Sequence, residues 1–271
     1  MTNLEIRLLL EAIKEHYRYD FTEYKSSSLR RRLDIFLSAC QKQYFSELIP
    51  LVLHNPDKLR LLINTLTIGI TEMFRDPPIF RFIVEKIIPS LRSFSLINIW
   101  SAGCSTGQEP FSLSILMKEA GLLNRSHVFG TDINQDFINA ASEGIYSEEE
   151  FSLYSKNYVE SGCPVSLSEY FHVRYGKGIV NDDIRKHVSF FKHNLVTDHD
   201  FVECQLIMCS NVLIYFNKEL QNKAWNLFYN SLHNFGYLVL GKQEKLPDHM
   251  LVDRFKKVSD DLPIYQKAIH G

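Results

Sequence analysis

What this sequence lacks narrows it before any motif is read. It has no run of about 18 uncharged apolar residues, so direct membrane insertion is not expected. The first residues, M-T-N-L-E-I-R, lack the charged and apolar regions of a secretory leader. Five cysteines, Cys40, Cys104, Cys163, Cys204 and Cys209, are odd in number and include no C-x-x-C pair, which argues against a disulfide framework or a zinc site. Free thiols fit a reducing compartment, so a cytoplasmic location is expected. A charge excess is missing too: 30 Lys and Arg against 32 Asp and Glu leave -2, too little basicity for a chain-wide nucleic-acid footprint. Internal repeats and low-complexity segments are absent. What is present is 271 residues, 45% of them hydrophobic, enough for a soluble domain of ordinary size plus a smaller one.

The most informative stretch runs from Leu96 to Phe111, L-I-N-I-W-S-A-G-C-S-T-G-Q-E-P-F. Ile97, Ile99 and Trp100 read as a buried strand, Gly103 to Gly107 as a small-residue turn, and Pro110 as an early position of the next helix. The turn has neither the G-x-G-x-x-G spacing of a dinucleotide site nor the G-K-[ST] of a P-loop, so neither pyrophosphate nor triphosphate is its natural guest. It offers a close backbone approach at Gly103 and one carboxylate, Glu109, at a helix start. A second strand, His127 to Thr131, ends in Asp132, near the roughly 20-residue interval at which an acid meets ribose hydroxyls in nucleoside-binding α/β folds. Two acids suit an adenosyl ligand that carries positive charge, and S-adenosylmethionine is such a ligand. The competing reading is an ordinary strand, turn and helix with a capping acid.

Residues 1–90 are expected to form an N-terminal α-helical domain and linker, with 13 basic against 11 acidic residues; the remainder has 17 against 21. Leu4, Leu8, Glu11 and Glu15 open a 3.6-residue pattern. After Ser26-Ser27-Ser28, the residues Leu29, Leu33, Phe36, Leu37 and Cys40 share a helical stripe, from which Arg31 points directly away while Arg30 and Arg32 flank it. Three such arginines form either a solvated helix face or a docking face for an acidic partner, which Arg18 and Lys25 would extend. Asn55-Pro56 breaks the helices, Lys58 to Ile70 forms the next, and Ile79 to Leu91 follows Pro77-Pro78. From Leu96 onward the pattern is doubly wound α/β: strand to Ser101, helix Glu109 to Ala120, strand to Thr131, helix Asn134 to Ala141. Ser142 to Asn181 interrupts it with tyrosines, glycines and no helical period, and Tyr170 to Tyr175 before Gly176 and Gly178 fits a strand and hairpin. Strands resume at His187 to His193 and at Gln205 to Cys209, which delivers Ser210 and Asn211 to the ligand edge. A helix Lys218 to Leu232 stopped near Asn234 and Gly236, a strand Tyr237 to Leu240, and a closing hairpin within Arg254 to Ala268 complete the reading.

The glycine stretch resembles the corresponding motif of the CheR-type chemoreceptor glutamate methyltransferases. Further matches follow in that family's order: T-E-M-F-R-D at Thr71 to Asp76, T-D-I at Thr131 to Ile133, H-N-L at His193 to Leu195, N-V-L-I-Y-F at Asn211 to Phe216 and L-V-L-G-K-Q-E at Leu238 to Glu244. The resemblance implies a class I S-adenosylmethionine-dependent methyltransferase, a doubly wound, mostly parallel sheet over residues 91–271. It also implies a small N-terminal helical domain and an antiparallel β-subdomain inserted at about 145–186. The implied activity is methylation of glutamate side chains on the cytoplasmic helical region of a chemoreceptor or similar acidic protein. S-adenosylhomocysteine would be the product, and the enzyme a monomer.

By the same resemblance Thr71, Arg75, Gly103, Glu109, Asp132, Asn194, Leu195, Ser210 and Asn211 hold the donor. Arg75 and Tyr215 serve the reacting groups, and Arg30, Arg31 and Arg32 meet the receptor. Arg75 could instead pair with Glu72 or Asp76, and Tyr215 could be a core tyrosine. Transfer from a sulfonium needs alignment rather than a metal or a base, since a glutamate carboxylate is already ionised at neutral pH. The chain departs from the family at Ser210, where Arg is usual, at Gly69, where Asn is usual, and at Gln108, where an acid is usual. The first two leave open a non-catalytic or donor-sensing adapter of the same fold. A nucleic-acid base N-methyltransferase is disfavoured because Asn211-Val212-Leu213 lacks the prolines of [DN]-P-P-[YF].

Overall fold

A computed structural model describes residues 3–67 and 69–268. Four helices come first: α1 (Asn3–Tyr17), α2 (Ser26–Ala39), α3 (Leu48–His54) and α4 (Pro56–Leu66). The expected stripe of α2 is buried at Leu29, Leu33, Phe36 and Leu37, together with Leu9, Leu10 and Ile13 of α1 and Leu62, Ile63 and Leu66 of α4. On α1, however, Leu4, Leu8, Glu11 and Glu15 form the outward row, with Leu4 52% and Leu8 48% exposed. Two rows of leucine interleave on that helix, and periodicity alone does not say which one finds a partner. The Asn55 side chain caps α4 by accepting from the Asp57 and Lys58 N–H groups, which starts the helix at Pro56. Thr67 is already extended, so α4 ends before the expected Ile70; Ile68 lies outside the described residues. Residues 3–67, 194–199 and 213–224 make up this helical unit.

The second unit takes 69–193, 200–212 and 225–268. It includes α5 (Pro77–Phe82), which continues through a π-turn at 83–87 into α6 (Ile88–Leu91). Ile79, Phe80, Ile83, Ile87, Ile88 and Leu91 are buried with Ile97 and Phe111. Residues 77–90, expected with the N-terminal domain and linker, therefore belong by burial to the larger core.

Then come β1 (Ile97–Ala102), α7 (Gln108–Glu119), β2 (Ser126–Asp132), α8 (Gln135–Glu143), β3 (Ile145–Ser147), α9 (Phe151–Glu160), β4 (Phe171–Arg174) and β5 (Lys177–Val180). They are followed by α10 (Asp182–Arg185), β6 (Val188–Lys192), β7 (Cys204–Cys209), α11 (Lys218–Ser231), β8 (Leu232–Leu240), α12 (Asp248–Asp253), β9 (Phe255–Lys257) and β10 (Ile264–Lys267).

The main sheet runs β6-β2-β1-β7-β8-β10-β9, parallel except that β10 is antiparallel to both of its neighbours. This is the expected class I architecture. Strand order reverses at β1, with β2 on one side and β7 on the other, so the crevice for a ligand opens at the carboxyl ends of these strands. β7 is buried at all six positions, as a central strand covered on both faces must be. Trp100, fully buried on β1, donates its Nε1–H to Thr131 Oγ1 at 2.8 Å and fixes β1 against β2 near that end.

The small antiparallel sheet β3-β5-β4 stands in the expected insertion, with β4 and β5 as the hairpin at Tyr175-Gly176. The insertion also holds α9, which the sequence reading missed. Its inward positions are Tyr154, Asn157 and Tyr158, at helical spacing but polar, so a search for apolar period passes over them. β8 likewise begins at Leu232, directly after α11. The expected break at Asn234 and Gly236 is an irregular strand start, with Phe235 at φ 64° and a register shift opposite Cys204 and Leu206.

Candidate functional site

The glycine turn closes on β2 through two backbone bonds, Gly103 N–H and Cys104 N–H to the Thr131 carbonyl, at 2.7 and 2.8 Å. Gly103 has φ +81°, and a Cβ there would lie 2.3 Å from Val212 Cγ2. Glycine is thus required both by its backbone and by the approach of the segment that follows β7. Gly107, at φ +93°, precedes α7 in the cap position. Thr106 Oγ1 donates to Gln108 Oε1, and Gln108 Nε2 donates to the Tyr154 hydroxyl, so the amide at Gln108 connects α7 to α9.

Asp132 is tied into this turn. Its Oδ2 accepts from Ser105 N–H at 3.0 Å and its Oδ1 from Asn134 N–H at 2.9 Å, while Asn134 Oδ1 caps α8 by accepting from Asp136 N–H. Burial pushes the Asp132 carboxyl up to about 6 against the opposing pull of the Asn134, Ser105 and Ile133 N–H groups. The carboxylate therefore fixes the glycine turn against the end of β2.

Glu109, in the first turn of α7, accepts from Ser101 Oγ at 2.7 Å. The residue keeps some exposure, but its carboxylate is enclosed, and burial pushes it up to about 7. Ser101, Ser210 and the Arg75 guanidinium favour the ionised form, whereas the Glu244 carboxylate opposes it. Such a pocket is short of positive charge, and a ligand that brings a cation relieves it. Asn211 stands at φ 61° after β7, and its Oδ1 is buried with no protein partner among the described residues. Groups of this kind match an S-adenosylmethionine donor: an orphaned acceptor, one carboxylate at a strand end and one at a helix start, and a glycine turn. Among the described residues no group of His, Cys, Asp and Glu could hold a metal ion.

Arg75 occupies an irregular turn between Phe74 (φ 53°) and Asp76 (φ 59°), two left-handed residues that a side chain adopts only under constraint. The constraints are visible. Met73 and Phe74 are fully buried, Phe74 N–H donates to Ser112 Oγ at 3.0 Å, and Asn157 Nδ2 donates to the Met73 carbonyl and to Glu72 Oε2. The Arg75 guanidinium donates to the Ile70 carbonyl at 3.3 Å and lies near enough to Glu109 to act on its charge. Thr71 opens the same segment, partly exposed. At Gly69 a Cβ would lie 2.8 Å from Phe137 Cζ, so the Phe137 ring fills the space a side chain at 69 would need. No local pattern signals the Gly69–Phe137 pairing, the bond from Asn211 N–H to Glu244 or the hold of Asn157 on Met73, because each joins segments far apart in the chain.

The larger unit thus brings together Arg75, Gly103, Glu109, Asp132, Ser210 and Asn211. Asn194, Leu195 and Tyr215 group with the helical unit. Asn194 and Leu195 are buried there, with Asn194 N–H donating to Asp198 Oδ2 and Asn194 Oδ1 accepting from Val196 N–H. Tyr215 lies beside Arg32, and its carbonyl accepts from Lys25 N–H at 2.9 Å. The three arginines of α2 separate. Arg31 is exposed and Arg30 reaches Asp34 only at 4.0 Å, but Arg32 Nη1 donates to the carbonyls of Thr65 and Thr67. Arg32, expected on the partner face, is thereby engaged in closing the end of α4.

The family described as "CheR methyltransferase, SAM binding domain" matches residues 70–262, and "CheR methyltransferase, all-alpha domain" matches residues 4–67. A "Putative methyltransferase Cher3" of Pseudomonas putida is 42% identical over 267 residues, covering 98% of each chain. A "Chemotaxis protein methyltransferase" of Borreliella burgdorferi is 28% identical over 266 residues, 91% of this chain and 89% of that one. Among solved structures, the N-methyltransferase NodS of Bradyrhizobium japonicum with S-adenosylhomocysteine aligns at TM-score 0.42 and 14% identity, over 90% of this chain and 98% of that one.

Proposed function

The chain belongs to the CheR methyltransferase family, and from that premise we propose that it methylates glutamate side chains on the helical cytoplasmic region of a chemotaxis receptor, using S-adenosylmethionine. The products are glutamate methyl esters and S-adenosylhomocysteine. The observation that carries this reading is the pocket at the ends of β1, β2 and β7. There Glu109, Asp132 and the orphaned Asn211 Oδ1 stand beside a glycine turn that lacks the spacing of a dinucleotide or P-loop site.

Bound S-adenosylmethionine supplies an electrophilic methyl group on a sulfonium. Asp132 and the turn it braces hold the ribose side, and Glu109 offsets the donor's positive charge. Arg75, fixed between two constrained residues, grips a carboxylate with its planar fork. Thr71 and Ser210 complete the donor contacts. No residue has to remove a proton from an ionised glutamate. The N-terminal helices present Arg30 and Arg31 to the acidic receptor; the remainder, from 69 onward, forms the methyltransferase domain with its β-subdomain. The enzyme works as a cytoplasmic monomer. Among the described residues no helix is long and apolar enough to cross a membrane.

Calorimetry with S-adenosylhomocysteine tests the pocket, and transfer of labelled methyl into base-labile ester on a receptor fragment tests the reaction. Donor binding without ester on any receptor would favour a donor-sensing adapter. No binding at all would overturn the pocket assignment.

A further inference from the structure

One buried carboxylate stands at the site without having been marked by any motif role. Glu244 is 6% exposed, and its Oε2 accepts two backbone N–H groups, from Asn211 at 2.9 Å and from Gly241 at 3.0 Å. These two amides lie just beyond the carboxyl ends of adjacent parallel strands, β7 and β8. A single carboxylate oxygen therefore ties the two strand ends together. Gly241 allows it: a Cβ there would lie 2.8 Å from Glu244 Oε2 and 2.9 Å from Asn211 N.

The bond to Asn211 falls on the residue with the left-handed backbone, φ 61°. That conformation is costly for a residue with a side chain and persists where neighbours impose it. Its consequence reaches the glycine turn, because the next residue, Val212, is the one packed where Gly103 lacks a Cβ. Glu244 thus sets the direction in which the Asn211 side chain leaves the strand and the distance at which the β7 end meets the β1 turn.

Glu244 also acts by charge. Glu109 is faced by the Ser101 and Ser210 hydroxyls, the Arg75 guanidinium and the Glu244 carboxylate, with the Cys104 and Cys209 thiols nearby and Asp132 beyond Cys104. Of the charged groups that act on Glu109, Arg75 is the cation and Glu244 the like charge, and serine at 210 adds no cation from that segment.

We propose that Glu244 is a positioning residue for the methyl donor, holding Asn211 in its left-handed turn and placing a second negative charge beside Glu109. The donor's cationic end is thereby balanced by a pair of carboxylates, of which Glu244 never needs to touch it. This rests on the reading of the pocket as a donor site.

Two substitutions separate the roles. Glu244→Gln keeps an oxygen acceptor for both amides and removes the charge, whereas Glu244→Ala removes both. S-adenosylhomocysteine affinity is measured by calorimetry from about pH 5.5 to pH 8.5, and the ligand's own titration is common to all three proteins. Glu109 ionisation makes the unmutated affinity rise through the neutral range. In Glu244→Gln that rise should move to lower pH by about half a unit or more, since a like charge is gone, with affinity at the alkaline end within about threefold. Glu244→Ala should lose about tenfold or more across the range while still unfolding cooperatively. Hydrogen exchange at the Asn211 and Gly241 amides should stay slow in Glu244→Gln and become fast in Glu244→Ala. An unmoved pH profile in Glu244→Gln, or unmutated affinity in Glu244→Ala, would overturn this role alone. Absence of binding by the unmutated protein would overturn the donor reading, and this role with it.

Discussion

Asn157 Nδ2 donates to the backbone carbonyl of Met73 at 3.1 Å, across 84 residues of chain. The bond joins α9, the helix inside the inserted segment, to the turn that carries Arg75. Asn157 is itself buried, and its carbonyl accepts from Ser161 Oγ at 2.7 Å. Asn157→Ala would leave the Met73 carbonyl without this donor in a buried place, at a cost of about 1–3 kcal/mol. Urea unfolding should show that loss. S-adenosylhomocysteine affinity should fall with it, and unchanged affinity would separate the turn from the pocket.

Asp132 braces the glycine turn, and in the proposed site it also faces the ligand. Asp132→Ala should weaken S-adenosylhomocysteine binding by about 1–3 kcal/mol, through the loss of a charge-assisted acceptor. Asp132→Asn retains an acceptor for one amide and should fall between the two in calorimetry. A folded Asp132→Ala protein that binds normally would remove Asp132 from the site.

Arg75→Lys keeps the charge but not the planar fork. Turnover should drop by on the order of 10²-fold if Arg75 aligns the reacting groups. Single-turnover methyl transfer at saturating donor is the measurement. Near-normal turnover would reduce Arg75 to a positive charge.

The Glu109 carboxyl, raised by burial from an ordinary 4.5 to about 7, makes the free protein's stability depend on pH. A group whose folded value lies above its unfolded value contributes stability that is complete below about pH 4.5 and lost as pH rises through about 7. Ligand-free protein should therefore lose a few degrees of Tm, roughly, between pH 5 and 7.5 relative to Glu109→Gln. Saturating donor should shrink the difference, because its positive charge supports the ionised carboxylate. Parallel Tm profiles for the two proteins without ligand would show that Glu109 titrates normally.

Arg31→Glu reverses an exposed charge on α2. Association with the receptor should slow and lose part of its salt dependence, with donor affinity unchanged. Stopped-flow association at two ionic strengths, beside calorimetry, checks both. Arg32→Glu should instead destabilise the helical unit, because Arg32 closes the end of α4.

The sequence by itself determined whatever is written in short-range pattern. The alternating strands and helices after Leu96, the glycine turn with Glu109, Asp132 at the end of β2 and the buried stripe of α2 all follow from spacing along one element, where neighbours in chain are neighbours in space. Ordered motifs added the family. Only the tertiary structure decided which of two leucine rows on α1 turns inward, that Arg32 caps α4, and that Phe137 fills the space at Gly69. It alone disclosed α9, whose inward face is tyrosine and asparagine rather than leucine, and the hold of Asn157 on Met73. It alone brought the Glu244 carboxylate to Asn211 N–H, 33 residues away. The physical reason is common to these cases. A hydrogen bond or a steric fit between distant segments depends on where the sheet sets each strand end, and no local periodicity records that distance.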